Sequence, residues 1–311
     1  MPLTLRIMTE PQQGASYDDQ LAVARTAEET GYDAYFRSDH YQAFVGEGLP
    51  GPTDAWVTLA ALARDTTRLR LGTMVTPVTF RWPGPLAISV AQVDVMSGGR
   101  VELGLGTGWH DGEHAAYGIP FPPLGERFEM LEEQLQIVPG MWATPKGETF
   151  SFSGTHYTVT DSPGLPKPAQ RPRPPIIIGG AGRKRTPRLA AAYADEFNVP
   201  FHDVSGTGEA IAAVRAACEK AGRDPDDMIY SAAQTIVCGS DEDELDRRAK
   251  AIGREDGDHA RKTALGGLPN EVVDTMGQFA ELGCTRIYLQ LLDLADLDHI
   301  RLVAAEVMGK V

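Results

Sequence analysis

Cysteine is scarce. The 311 residues contain three, Cys218, Cys238 and Cys284, far apart and out of metal-ligand spacing. That excludes a disulfide framework and a cysteine-based metal site. Cys218 sits in an Ala-rich helical pattern and the other two at element ends, which marks them as buried thiols of a reducing compartment. Long apolar runs are missing too. None approaches the roughly 20 residues of a membrane span. Leu3 enters a strand pattern with no basic or apolar leader before it, so a cytoplasmic protein without membrane attachment is expected. Basic charge is the third shortage. With 29 Lys and Arg against 43 Asp and Glu, the formal net charge is −14, which argues against nucleic acid or an anionic membrane as the main partner. An anionic ligand must therefore find a local basic pocket.

What is present is the rhythm of an α/β protein, 42% hydrophobic and 23% charged. Strand patterns at Leu3–Met8, 32–36, 70–76 and 101–105 alternate with helical ones at 16–30, 53–65 and 83–96. Ser16 can cap the first helix and Gly31 end it. Trp109 to Gly125 then reads as a long loop and Glu126 to Trp142 as a helix, followed by β-like pieces and a proline-rich run to Pro174. Further strands are expected at 176–178, 196–199, 228–237 and 286–291, with helices between them, and Gly253 to Pro269 reads as a second mobile loop. Eight strands alternating with helices predict a single (β/α)8 barrel over residues 1–311, with an insertion at about 109–174 after strand four. A segment of that length is expected to serve binding rather than mere connection.

The sharpest local signal is Pro174-Pro175-Ile176-Ile177-Ile178-Gly179-Gly180-Ala181-Gly182-Arg183-Lys184-Arg185. A buried strand runs into a glycine turn and then a helix whose start is basic, against the sign of its own dipole. A bound phosphate on the free N–H groups reverses that penalty, and Arg183, Lys184, Arg185 and Arg188 form the local basic pocket. In such barrels the active site lies at the carboxyl ends of the strands. There the sequence places Glu10, Asp39-His40, Thr76-Pro77, Thr107-Gly108, Gly179 to Arg183, Asn198 and Gln290. His40 can exchange a proton near neutral pH, with Asp39 beside it to orient it. Adjacent residues leaving a strand point opposite ways, so both reach the mouth only if the chain bends. His110, Glu113 and His114 lack the spacing of a zinc hydrolase motif, and no metal is expected. Trp109 follows the Gly106-Thr107-Gly108 turn, where it can line a flat-ring pocket.

Several ordered blocks resemble one family. Ser38-Asp39-His40, Leu71 to Pro77, Phe80-Arg81, Arg100 to Trp109, Ala116 to Phe121, Gly125 to Phe128, Ile176 to Arg183 and Asp195 to Val199 are similar to successive blocks of the luciferase-like monooxygenase superfamily. Among its branches the chain looks closest to the one using the deazaflavin coenzyme F420. The resemblance implies the same barrel with an insertion after strand four. It implies a cofactor ring over a bulge at Met74, Val75 and Thr76, with a non-prolyl cis peptide at Met74–Val75. It also implies a cofactor lined by Asp39, Thr107 and Gly108, with its phosphate at Gly179, Gly180, Ala181, Gly182 and Arg183. In related sugar-phosphate dehydrogenases a Glu follows the Gly-Thr-Gly; here Trp109 stands there, which leaves Glu113, His110 or a substrate group as the acid–base partner of His40. Trp109, His110 and Phe44 are then expected to form the substrate pocket, suited to a less polar substrate. The implied activity is hydride transfer between F420 and a small carbonyl, imine, alcohol or activated alkene, in a homodimer. A flavin mononucleotide (FMN)-dependent monooxygenase and a non-catalytic cofactor binder are the alternatives.

Overall fold

A computed structural model describes residues 3–311. Eight parallel strands close into a barrel: β1 (Thr4–Thr9), β2 (Ala34–Arg37), β3 (Arg70–Thr73), β4 (Val101–Gly106), β5 (Ile176–Gly179), β6 (Glu196–Pro200), β7 (Ile229–Cys238) and β8 (Cys284–Leu291). Each pairs with its sequence neighbour, and closure comes from β8 on β1, with Thr4 opposite Arg286 and Met8 opposite Gln290. The chain is a (β/α)8 barrel, as the alternation of strand and helix patterns led one to expect.

The two-residue period of a strand sorts its side chains. Leu5 and Ile7 of β1, Leu103 and Leu105 of β4, and Ile287 and Leu289 of β8 face the helices and make the main core. The alternate positions face the barrel axis in layers. The lowest layer holds Arg6, Glu102, Glu196 and Arg286. Above it Met8, Ala34, Phe36, Ile177, Ala233 and Tyr288 form a separate apolar cluster with Met74. Above that come Glu10 and Gln290 at the mouth. Phe36 fits because Gly72 leaves it room: a Cβ there would lie 2.4 Å from its ring.

Helix starts follow their caps. Ser16 accepts from the Asp19 amide at 3.2 Å while the Asp19 carboxylate accepts from the Ser16 amide at 2.8 Å, a reciprocal box opening the helix Tyr17–Thr30. Gly31 closes it in the left-handed conformation, at φ 98°.

Three stretches differ from expectation. The third strand stops at Thr73, and Thr76–Pro77 pairs separately with Leu105 and Gly106 of β4. Between them the Met74–Val75 peptide is cis. The loop 109–125 contains a helix, Asp111–Ala116, opened by acidic residues that suit its N-terminal dipole despite Gly112. Gly253 to Pro269 is not a mobile loop: it folds as a helix, Gly257–Thr263, and a short strand, Leu265–Gly267, paired with the end of β7. Asp256 caps that helix through the His259 amide at 2.8 Å, and Ala260 is buried with Val237, Leu245 and Ala249. The segment after β4 carries the long helix Leu124–Ala143 and an antiparallel hairpin, Phe150–Ser153 with Thr158–Ser162. All three cysteines are buried thiols.

Candidate functional site

A cavity of about 560 Å³ opens at the carboxyl ends of the strands. Its floor is Met8, Met74, Val75 and Ala233, one wall is Gly106 to Trp109, and another is Gly179 and Gly180. Polar groups enter from Glu10, Gln13, Ser38, His40, Asn198 and Gln290, while Phe44, Val45, Trp109, Phe201 and Leu292 form an apolar rim. Val75 rises into the mouth because its neighbours are glycines. A Cβ on Gly106 would lie 2.7 Å from Val75 Cγ2, and one on Gly104 would lie 2.9 Å from Cγ1. The result is a flat apolar platform ringed by backbone, which fits a planar ring.

His40, nearly buried, lines this cavity. Its Nδ1–H donates to Glu113 Oε1 at 2.8 Å, and Glu113 Oε2 accepts from the Tyr41 amide at 2.8 Å. Glu113 is wholly buried, so the carboxylate is fixed from both sides and sets the imidazole tautomer. Nε2 has no partner among the described residues, which leaves it for a ligand in the cavity. The ring is also held edge-on by Phe44 and Trp109, with centroids at 4.8 and 5.6 Å.

Asp39 stands elsewhere. It is 1% exposed and lies behind the wall, accepting from the Thr76 hydroxyl at 2.8 Å and paired with Arg81. Burial pulls the Arg81 guanidinium down, but Asp39, Tyr41 and Asp54 outweigh it and hold Arg81 well above its usual range. Asp39 therefore fastens Thr76 and the bulge rather than facing the cavity, as the opposite directions of neighbouring side chains on a strand require. His110 is not on the cavity wall either. It packs edge-on against Phe44, centroid to centroid 5.3 Å, and its Nε2 is buried without a partner. His114 has both nitrogens engaged, with Thr79 Oγ1 at 2.6 Å and the His110 carbonyl at 2.7 Å, and burial lowers its pKa. His110, Glu113 and His114 thus do not converge on a common point.

At the other end of the cavity the chain leaves β5 through Gly179 and Gly180, the latter at φ 142°. Ala181, Gly182 and Arg183 turn outward to line an adjoining space of about 450 Å³ with His202 and Glu209. The helix Arg185–Tyr193 that follows has no side-chain cap, so its first N–H groups are free for an anion. A Cβ on Gly182 would fall 2.6 Å from Thr186 Oγ1, so the turn can press this close only as glycine. The basic quartet is divided: Arg185 donates to the Gly125 carbonyl at 2.9 Å and Arg188 pairs with Glu132, while Arg183 is exposed beside Glu209 at 3.6 Å. Arg185 and Arg188 are thus engaged at the surface with the helix Leu124–Ala143, against the expectation that all four face an anion.

Two residues of the mouth were not singled out from the sequence. Arg127 donates to the Thr107 carbonyl at 3.1 Å and to the carbonyls of Gly108 and Pro122, fixing the turn that carries Trp109. An arginine in the first turn of a helix opposes the dipole, the same signal that marked residues 183–185. Phe201, at the rim, has φ 52°, a backbone rare for an aromatic residue.

The profile of the luciferase-like monooxygenase family matches residues 2–260. Among curated relatives, an F420-dependent glucose-6-phosphate dehydrogenase of Microbacterium testaceum (strain StLB037) is 37% identical over 209 residues, 65% of this chain and 59% of the relative. An F420-dependent hydroxymycolic acid dehydrogenase of Mycobacterium tuberculosis (strain ATCC 25618 / H37Rv) is 33% identical over 226 residues, 72% of this chain and 60% of the relative. The matched stretch thus spans about three-fifths of these relatives' length. Among solved structures, an F420-dependent secondary alcohol dehydrogenase bound to an F420-acetone adduct superposes with TM-score 0.84 at 19% identity, covering 99% of this chain and 98% of that one. A coenzyme F420-dependent tetrahydromethanopterin reductase from Methanopyrus kandleri gives 0.80, also at 19%, with 99% of each chain covered. At such identities these structures support the fold. With a family profile covering most of its length and the barrel it calls for, the chain belongs to the luciferase-like monooxygenase family.

Proposed function

We propose that the protein is an oxidoreductase using coenzyme F420, with the deazaflavin ring on the Met74–Val75 platform and the cofactor phosphate at Gly179 to Arg183. The observation that carries this reading is the placement of His40. It is oriented through Nδ1 by Glu113 and presents Nε2 to a cavity that runs on to an uncapped helix start. The relatives named above, both F420-dependent, support the choice of cofactor. When bound, the deazaflavin supplies the two-electron hydride chemistry.

The chain's own residues do the rest. Gly106, Gly179 and Gly180 let backbone approach the cofactor, Val75 supports its ring, and Thr107 and Gly108 close one edge. His40 Nε2 gives or takes the proton that accompanies hydride movement at the substrate, while Glu113 positions the imidazole and stabilises its charged form. Asp39 acts at one remove by holding Thr76 and Arg81. Trp109, 62% exposed, and Phe44 edge the mouth with apolar surface that a substrate can cover. That rim favours a substrate less polar than a sugar phosphate: a small carbonyl compound, imine, alcohol or activated alkene. Val57, Ile88 and Val95, exposed on the neighbouring helices Ala55–Asp65 and Pro83–Ser97, support pairing of two copies as a homodimer, which sedimentation velocity tests.

A substrate screen with oxidised and reduced F420, followed by the cofactor absorbance, tests the activity. Turnover of one of these classes with F420 is expected. Turnover only with reduced FMN and oxygen would replace the reading with that of a flavin monooxygenase.

A further inference from the structure

Among the described residues, Glu10 is the one carboxylate lining the cavity, and the proposed function does not use it. It is 7% exposed. Its Oε1 accepts from the Gln290 side-chain amide at 3.0 Å, and its Oε2 accepts from the Gln12 amide. Both amides are themselves oriented. The Thr235 hydroxyl donates to Gln290 Oε1 at 2.6 Å, and the Ser38 hydroxyl donates to Gln12 Oε1 at 2.6 Å. With each amide oxygen occupied by a hydroxyl, each amide nitrogen faces the carboxylate. Glu10 therefore meets donors on both oxygens, an arrangement that suits the acceptor-only, ionised form.

Two neutral amides orient that charge and do not cancel it. Among the described residues, Glu10 takes part in no ion pair with Arg, Lys or His, unlike the buried Glu102, which faces Arg6 and Arg70. The cavity it lines carries Met8, Met74, Val75, Ala233 and Leu292, and of the polar groups that share the lining, Gln13, Ser38, Thr107, Asn198 and Gln290 are neutral while His40 is engaged with Glu113. A buried anion on an apolar wall is costly until a cation arrives. The Asp39 carboxylate, just past the end of the neighbouring strand β2, shows the contrast, since Arg81 serves it directly.

We propose that Glu10 is the anionic anchor of the substrate pocket, and that the substrate is a small apolar amine or iminium whose protonated nitrogen pairs with Glu10. Its body packs against Phe44, Trp109 and Phe201. Within the oxidoreductase reading, on which this rests, that narrows the substrate from four classes to the carbon–nitrogen one. Glu10 is then a specificity-determining residue, and His40 keeps its separate role in proton exchange.

The probes are benzylammonium and its neutral counterpart benzyl alcohol, titrated by calorimetry into the F420-loaded and the cofactor-free protein. One charge-assisted hydrogen bond is worth about tenfold or more in affinity, so wild type is expected to prefer benzylammonium by at least about that factor. Glu10→Gln is expected to erase the preference while leaving the F420 dissociation constant within about twofold. Equal binding of the two probes by wild type overturns the proposal. So does a preference that survives Glu10→Gln, or a Glu10→Gln variant that loses F420 affinity and keeps the preference, which would assign Glu10 to an N–H of the cofactor ring. A crystal structure of wild type with benzylammonium needs no variant: nitrogen against the Glu10 carboxylate supports the anchor, and nitrogen seated elsewhere overturns it. A protein that binds no F420 fails the oxidoreductase reading in that titration alone, while the cofactor-free arm still decides the anchor.

Discussion

The two ends of the barrel are built from the same eight strands and treat polar side chains in opposite ways. At the amino end the inward charges pair with one another, with Arg6 Nε the one buried atom of the group without a partner among the described residues. Arg6 meets Glu102 at 2.7 Å and the Tyr288 hydroxyl at 2.9 Å, Tyr288 donates to Glu196 at 2.9 Å, and Arg286 pairs with Glu196. Burial raises the Glu102 pKa, but Arg6, Arg70 and Arg286 outweigh it and hold the carboxyl below its usual range. At the mouth, just past the end of β1, Glu10 has two amides and no cation among the described residues, and His40 has one nitrogen engaged and one open. Polarity that is satisfied internally holds the fold together. Polarity left one partner short is where a ligand completes the arrangement.

His40→Ala should separate the two ends most sharply. Turnover is expected to fall about 10²–10⁴-fold while F420 affinity and thermal stability stay near wild type; retention of full turnover would remove His40 as the proton carrier. At the closed end, Glu102→Ala strips Arg6 of its main partner and should cost about 3–5 kcal/mol in denaturant melts. The folded fraction should still bind cofactor normally, and a loss of cofactor affinity without a loss of stability would erase the distinction.

His299 sharpens the same point away from the axis. Its Nε2 accepts from the Cys238 amide at 2.9 Å, and burial, aided by Arg248, pulls its pKa down to about 4. The folded state thus binds this proton less readily than the unfolded chain, whose histidine titrates near about 6.5. Its contribution is present in full above about pH 6.5 and declines as the pH falls towards 4, by roughly 3 kcal/mol in all. His299→Gln should flatten that limb of the stability profile, and an unchanged profile would show that another group carries it. The smallest effect belongs to Glu113→Gln. Losing one charge-assisted bond, about 1.5–3 kcal/mol, should slow turnover about 10- to 100-fold without shifting F420 affinity; loss of cofactor binding instead would make Glu113 a structural support.

Much of this was legible in the chain itself. The strands announced themselves by β-branched runs, Ser16 and Gly31 marked a helix at both ends, and the turn 179–182 stood out by glycine followed by unfavourable charge. Resemblance to the family located the Met74–Val75 cis peptide, which no local pattern signals. The carboxylate that orients His40 is Glu113 rather than the adjacent Asp39, because neighbouring side chains face opposite ways and Asp39 turned to Arg81. The contacts of Glu10 with Gln290 span 280 residues and arise only when β8 closes on β1. The helix Gly257–Thr263 was hidden by a glycine- and aspartate-rich composition whose Asp256 is a cap rather than a loop residue.

The central claim is that the glycine turn after β5 and the platform at Val75 together hold a deazaflavin. The direct measurement is an equilibrium titration of the purified protein with F420 and, in parallel, with FMN, on wild type and on Gly179→Leu, whose side chain would project toward Val75 and the cavity. Saturable binding of F420 by wild type, with F420 preferred over FMN and affinity lost in Gly179→Leu without loss of stability, is the expected result. Failure of wild type to bind F420, or undiminished binding by Gly179→Leu, would contradict it.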